Sequence, residues 1–294
     1  MKTVVASLVL ALALAASVRA EEAIEIKLKY TPKAGDKLAH QKTDKTEMKM
    51  EVTAGGNPVQ DVDQKDEKGF EYVEDVVKVE GSNVVEGKYT FSKATHLVEG
   101  EEEDYDFSEK TVSAKKGKDG WEFFNADGTN MSEEDAAAVA DALDHKSDKK
   151  EGAPEIEEVL APKKPVKVGE SWDIDPKEFA SGFAGDDLES FDLEKSKGSM
   201  KLTSAEKRNG VQCGKIEGEI TMVALKLGAL ALGKPLKFKF KIAYDGCVDG
   251  TQPMGTVTLK AGIKGKSTAD ANGTEVDLDI NMDMNMEMSF KRAK

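Results

Sequence analysis

The sequence has few of the residues that most often carry out chemistry. It contains only three histidines and two cysteines in 294 residues. His40, His96 and His145 share no metal-ligand spacing, and no nucleophile elbow or glycine-rich phosphate loop occurs. The sequence therefore predicts no catalytic, cofactor-binding or metal-binding residue. It favours a protein that is not an enzyme, with an uncharacterised hydrolase as the least favoured alternative.

Positive charge is also scarce. The chain has 56 acidic and 42 basic residues, which gives a formal net charge of −14 at pH 7. A chain of this charge is repelled by nucleic acid and by anionic lipid head groups. The composition therefore excludes nucleic acid as the expected partner.

Long apolar runs are absent after the N-terminus. Residues 1–20 read "MKTVVASLVLALALAASVRA", with Lys2 before an apolar stretch and Ala20 at the expected cleavage site. This pattern is typical of a secretory signal peptide, and it is too short to span a membrane. We expect an exported protein, periplasmic or extracellular, with no transmembrane segment in the mature chain.

The two cysteines are Cys213 and Cys247. In an exported chain an isolated pair favours a disulfide. A hairpin register that sets Cys213 opposite Cys247 also sets Ile220 opposite Phe240, so that apolar residues face each other. The sequence predicts a hairpin closed by this disulfide, and the alternative is two unpaired buried thiols.

The clearest pattern is the segment "EVDLDINMDMNMEMSF", residues 275–290, in which every second residue is apolar. Asn272-Gly273 just before it is the preferred centre of a tight hairpin turn. Folding there sets Ile263 opposite Met282 and Leu259 opposite Met286. Methionine is a flexible core filler, so the pattern predicts a strand with one dry and one wet face. A Cu(I) site formed by the thioethers is the alternative.

Similar alternation recurs along the chain, with turn residues between the segments, and this is typical of an antiparallel meander. The predicted fold is mainly β, a curved sheet or partial barrel in two similar halves, with two short helices. The expected divisions are a signal peptide (1–20), an N-terminal β half (21–145) with a helix near 132–145, a connector (146–165) and a C-terminal β half (166–294). Ser132 is the expected N-cap of the first helix, and Asp175 is the expected N-cap of the second.

Several apolar residues are candidates for contact with a ligand or partner. The connection "MVALKLGALALGKPL", residues 222–236, is too apolar for an exposed loop. It can cover the core, dock in a partner or form the lip of a ligand cavity. Two tryptophans just after glycine-bearing turns can line a cleft or simply pack on the core. These candidates are Leu225, Leu227, Leu230, Leu232, Trp121 and Trp172.

The stretch "GWEFFNADGTNMSEED" (120–135), followed by "LAPKKPVKVGESWDI" (160–174), resembles exported bacterial proteins of unknown function, of planctomycete type. The resemblance implies long strands and a proline-containing hinge, and it implies no activity. The expected architecture is also similar to the half-barrels of periplasmic lipoprotein carriers. The favoured function is an exported β-protein that binds a lipid or other apolar ligand, or a cell-envelope protein. The alternative is a purely structural envelope protein without a ligand.

Overall fold

The computed structural model describes residues 22–54, 56–98, 100–118, 120–145, 155–184, 188–228, 230–271 and 274–293. The expected signal peptide, the first part (146–154) of the expected connector and the Asn272-Gly273 turn lie outside these residues. Within them the chain is mainly β, as predicted: one curved, open antiparallel sheet of twelve strands with three α-helices. No helix of this described part is long and apolar enough to cross a membrane.

The strands are long in the middle of the sheet and short at its edges. They are β1 (Lys37–Ala54), β2 (Asn57–Glu80), β3 (Asn83–Val98), β4 (Glu101–Asp104), β5 (Thr111–Lys116), β6 (Trp121–Asn125), β7 (Ser171–Ile174), β8 (Lys197–Arg208), β9 (Val211–Leu227), β10 (Leu230–Cys247), β11 (Gly255–Ala271) and β12 (Thr274–Arg292). The helices are α1 (Glu133–Ala142), α2 (Ile156–Leu160) and α3 (Pro176–Ala184), and a short 3-10 turn covers Leu188–Ser190.

The strand order is β6-β5-β3-β2-β1-β12-β11-β10-β9-β8-β7, with β4 paired to β3. Each half of the chain therefore forms its own meander, and the two meanders join where the first strand meets the last. This β1–β12 seam runs in register from Leu38 opposite Arg292 to Thr53 opposite Asp277. The two halves thus form one continuous sheet.

Both hairpin registers predicted from the sequence are confirmed. In the β11–β12 hairpin, Ile263 pairs with Met282 and Leu259 with Met286. In the β9–β10 hairpin, Ile220 pairs with Phe240. Because side chains alternate between faces, a slip of one residue would move every apolar side chain to the wet side.

Both predicted helices are present, and each begins at the expected cap. The Ser132 hydroxyl accepts a hydrogen bond from the Asp135 backbone N–H at the start of α1. The carboxylate of Asp175, just before α3, accepts a hydrogen bond from the backbone N–H of Lys177 in its first turn. A third helix, α2, lies in the segment predicted as a connector, where Val159 and Leu160 are buried.

The apolar face of the sheet is covered in three separate places. The aromatic cluster lies under α1 and is centred on Phe70, Tyr89 and Phe91. The helix cluster lies under α2 and α3 and includes Ile220. The tip cluster lies where β1 and β11 end and β12 begins, and it includes Leu278.

Candidate functional site

Four methionines of β12 lie on the apolar face between these clusters. We call Met282, Met284, Met286 and Met288 the methionine strip. All four are partly exposed, whereas Val276, Leu278 and Ile280 earlier on the same face of β12 are buried. The apolar face is therefore fully covered at one end of β12 and only partly covered along the methionine strip.

The first two residues of the strip have different surroundings from the last two. Met282 packs against the tip cluster and Met284 against the helix cluster. Met286 and Met288 belong to none of the three clusters. Their neighbours on β11, Leu259 and Val257, are also partly exposed. Leu259 and Val257 pack against the edge of the helix cluster, so these four side chains form a partly covered apolar surface beside it.

A buried cation borders the strip on β1. Lys42 is the cross-strand partner of Met288, and Asp44 is the partner of Met286. The Lys42 side chain is only 6% exposed. Its ammonium donates to the Asp141 backbone carbonyl at 2.9 Å and to Asp144 Oδ1 at 3.0 Å. The end of α1 is thereby fastened to the sheet beside the methionines.

The surroundings of this lysine shift two pKa values. Burial by itself lowers the pKa of Lys42, but the carboxylates of Asp144 and Asp44 more than offset this and the pKa is raised. Burial raises the pKa of Asp44, and Lys42 offsets only part of the effect. One oxygen of Asp44, Oδ1, is buried with no hydrogen-bond partner among the described residues. Asp44 is therefore a carboxylate whose charge depends on Lys42.

A second polar group fastens the C-terminal end of α1. His40 Nε2 lies 3.0 Å from Glu74 Oε2, and the Tyr89 hydroxyl donates to Glu74 Oε1 at 3.3 Å. The same hydroxyl lies 3.4 Å from Nε2 of His145, just after α1. Burial followed by the charge of Glu74 raises the pKa of Tyr89, so this phenol stays protonated. These contacts position α1 over the aromatic cluster.

The two tryptophans predicted to contact a ligand lie far apart. Trp121 is on the edge strand β6 and stacks on His145, with ring centroids 3.7 Å apart and planes 3° apart. Trp172 is on the opposite edge strand β7, and its indole N–H donates to the Leu160 carbonyl at 3.0 Å. No single site contains both rings, and each packs beside a covered core.

The leucine-rich connection is not a loop. β9 continues to Leu227 and β10 begins at Leu230, and these two residues pair directly across the hairpin. Leu227, Leu230 and Leu232 pack against the tip cluster. Leu225 is partly buried and belongs to none of the three clusters. Three of the four leucines thus cover the core, which is one of the three roles that the sequence left open.

The structure corrects the predicted disulfide. Cys213 and Cys247 are direct cross-strand partners, as predicted, but both are buried free thiols. The reason is a competing contact, since Cys247 Sγ donates to Asp249 Oδ1 at 2.9 Å. Burial by itself raises the pKa of Asp249, but hydrogen bonds from Cys247 and Thr251 lower it to about 2. The sulfur of Cys247 is thus a donor to a carboxylate rather than half of a disulfide.

Because both thiols are buried, we expect neither to react with a thiol reagent in the native protein at pH 7. Burial raises the pKa of Cys213, which further lowers its thiolate fraction. Both of the chain's two cysteines should react once the protein is unfolded without a reductant. A colorimetric thiol assay before and after denaturation measures this. If the unfolded protein had no reactive thiol, the result would support a disulfide between the two cysteines.

Sequence reasoning did not find Lys42 and Asp44 as part of the inner face. The signal was present in the alternation of β1. Met48, Met50 and Val52 mark the apolar face of this strand, and two-residue steps back from them reach Asp44 and Lys42. Charged residues at inward positions are costly unless paired, so they indicate a buried network.

No family model and no curated protein matches the chain by sequence. Among solved structures it is similar to lipovitellin, from a study of lipid-protein interactions, with a TM-score of 0.37 and 6% identity. That match covers 89% of this chain and 25% of lipovitellin, so this chain spans a quarter of its length. OmpF of Salmonella typhi in complex with daunomycin matches with a TM-score of 0.17, 8% identity, and coverage of 88% of this chain and 98% of that one. None of these similarities assigns a function.

Proposed function

We propose that the chain is an exported, non-enzymatic protein, periplasmic or extracellular, that binds an apolar ligand such as a lipid acyl chain along the methionine strip. The observation that supports this proposal is the partial exposure of Met286 and Met288, which belong to none of the three clusters, beside the partly exposed Leu259 and Val257. Exposed apolar surface of this kind marks a contact site more often than an isolated exposed residue does.

The side chains of the strip suit a flexible apolar ligand. Methionine is unbranched and polarisable, and it adapts its shape to irregular partners. The strip runs along one strand, with residues of the same face about 7 Å apart. An extended acyl chain can lie along it while contacting Leu259 and Val257 on the neighbouring strand. Lys42 and Asp44 at its border limit the apolar surface on the β1 side.

The first experiment asks whether the purified protein carries a ligand. Solvent extraction followed by mass spectrometry should release a lipid or another apolar molecule. Repeated preparations without one, together with no uptake of a fluorescent long-chain fatty acid, would favour the structural envelope protein without a ligand.

The second experiment assigns the ligand to the strip. We expect Met286→Gln with Met288→Gln to weaken binding of the fluorescent fatty acid by about tenfold or more, because two amides then replace apolar contacts. Glutamine is close to methionine in volume, so packing changes little. Met254→Gln, at a partly exposed methionine in the connection between β10 and β11, is the matched control. If the double variant and the control both bound the fatty acid as tightly as the unaltered chain, the ligand would lie elsewhere.

A further inference from the structure

The polar face of the sheet carries a groove lined by lysines. We call Lys237, Lys239 and Lys241 of β10 and Lys260 and Lys264 of β11 the lysine groove. All five are exposed, and they line a groove of about 910 Å³ together with Lys45 and Glu47 of β1 and Asp283 of β12. On β10 these lysines alternate with the partly or fully buried Phe238 and Phe240, so they project to the face opposite the methionine strip.

Most of these lysines have no charge partner. Lys241 lies 3.4 Å from Glu219, in a pair of two exposed side chains. The other four form no ion pair within the part of the chain that the structure describes. Lys241 and Lys260 are also direct cross-strand partners. Like charges placed directly opposite each other destabilise a sheet.

Lysines elsewhere on the same face are paired across strands. Lys45 lies 2.6 Å from Glu67, Lys49 lies 2.9 Å from Asp63, and Lys266 lies 3.0 Å from Asp279. The sheet therefore places acidic cross-strand partners beside these lysines, but it pairs only Lys241 among the five of the lysine groove. The groove is thus a local excess of positive charge in a chain whose net charge is −14.

A glycine occupies the centre of the groove. Gly262 lies between Lys239 on β10 and Asp283 on β12. A Cβ atom at this position would stand 3.0 Å from Asp283 Oδ1 and 3.0 Å from the Met282 carbonyl oxygen, which is closer than side chains normally approach. Position 262 therefore carries no side chain, and the Asp283 carboxylate lies close beside the β11 backbone there.

The flanks of the groove define the shape of its partner. Glu217 and Glu219 lie on β9 on one side, and Asp283 and Glu287 lie on β12 on the other. The positive band is only two strands wide, or about 10 Å. A broad anionic surface such as a bilayer would meet all of these acids, whereas a narrow extended chain along β10 and β11 meets mainly the lysines.

We propose that the lysine groove binds an acidic polypeptide segment in extended conformation, lying along β10 and β11. The lysines of β10 occur at every second residue, about 7 Å apart. Acidic residues at every second position of an extended peptide have the same spacing. Each carboxylate can therefore meet one ammonium, and the partner supplies the negative charge that the groove lacks.

The test uses a short fluorescent peptide in which glutamate alternates with serine. At low ionic strength we expect it to bind the full chain, and Lys237→Gln with Lys239→Gln and Lys264→Gln to weaken binding by about tenfold or more. Binding should also weaken as salt is raised, because the contacts are exposed. Fluorescence anisotropy gives the affinities, and circular dichroism shows that the variant is folded.

The matched control removes the same charge elsewhere. Lys115, Lys116 and Lys118 are exposed and lie on or beside β5, so replacing all three by glutamine leaves the groove intact. This control should bind the peptide as the unaltered chain does. Equal loss in both triple variants would overturn the proposal in favour of net charge. Absence of peptide binding would also overturn it, whether or not vesicles containing phosphatidylglycerol bind.

Discussion

Replacing Phe91 by alanine should destabilise the fold by about 3–5 kcal/mol, the usual cost of removing a buried phenylalanine. Phe91 is 1% exposed. Its ring lies 4.9 Å from that of Phe107 and 5.1 Å from that of Tyr72, measured between centroids. The truncation leaves a cavity between rings that cannot move together to fill it. Urea unfolding followed by circular dichroism measures the change in the free energy of unfolding.

Thr90→Ala is the control for this prediction, because Thr90 precedes Phe91 and points to the other face. Its hydroxyl oxygen lies 3.0 Å from that of Thr111 in an exposed cross-strand pair. The loss of this contact should cost under about 1 kcal/mol. Similar costs for both substitutions would mean that β3 presents its side chains in the opposite register.

Lys42→Met should destabilise the protein by about 2–3 kcal/mol at pH 7. Removing one partner of a buried pair usually costs about 3–5 kcal/mol, because the other charge stays buried. The cost is lower here because the Asp144 side chain is 56% exposed and can use water instead. The Asp44 side chain is only 24% exposed, so its unpaired charge accounts for most of the cost. Chemical denaturation measures the difference from the unaltered chain.

The pH dependence of this variant follows from the raised pKa of Asp44. Without Lys42, which lowers that pKa, the folded state binds the proton of Asp44 more tightly still. Protonation removes the unpaired charge, so the folded state of the variant gains stability relative to the unfolded state as pH falls. The cost of the substitution should therefore shrink as pH falls from 7 through the folded pKa of Asp44. A cost that stays constant over this range would exclude Asp44 as its source.

Lys45→Met is the matched control. Lys45 is three residues away, on the opposite face of β1, and its pair with Glu67 is half exposed. Exposed pairs contribute about 0–1 kcal/mol, so this variant should differ little from the unaltered chain. A large effect at Lys45 would mean that the loss of any β1 lysine destabilises the sheet.

Local patterns in the sequence were enough to predict the hairpins. The alternation along β12 and the expected turn at Asn272-Gly273 give the same register, and the structure has that register. The caps at Ser132 and Asp175 likewise predicted where α1 and α3 begin. These features depend on residues close together in the chain, so a single sequence contains the information.

Contacts between distant residues were not predictable in the same way. β2 was only partly recognised, because its first half is polar on both faces. This half of the 24-residue strand pairs with β1 along its backbone, and exposed cross-strand ion pairs such as those of Lys49 with Asp63 and Lys65 with Glu47 lie along it. The free thiols are a different case, because Asp249 is only two residues from Cys247, but the sequence alone does not show that Cys247 donates to it rather than bonding to Cys213. The partial exposure of Met286 depends on where the helices stop covering the sheet.

The β1–β12 seam has a consequence for the order of folding. Every other long pairing joins strands that are neighbours in the chain, whereas the seam joins residues separated by most of its length. Pairings of such high contact order form slowly, because a long loop must close before they contribute. Each meander can therefore form first, with β1 or β12 as a temporary edge of 18 or 19 residues. Until the seam closes, each of these edges can also pair with the complementary edge of another molecule. Domain-swapped dimers are therefore the misfolded product that we expect from this architecture.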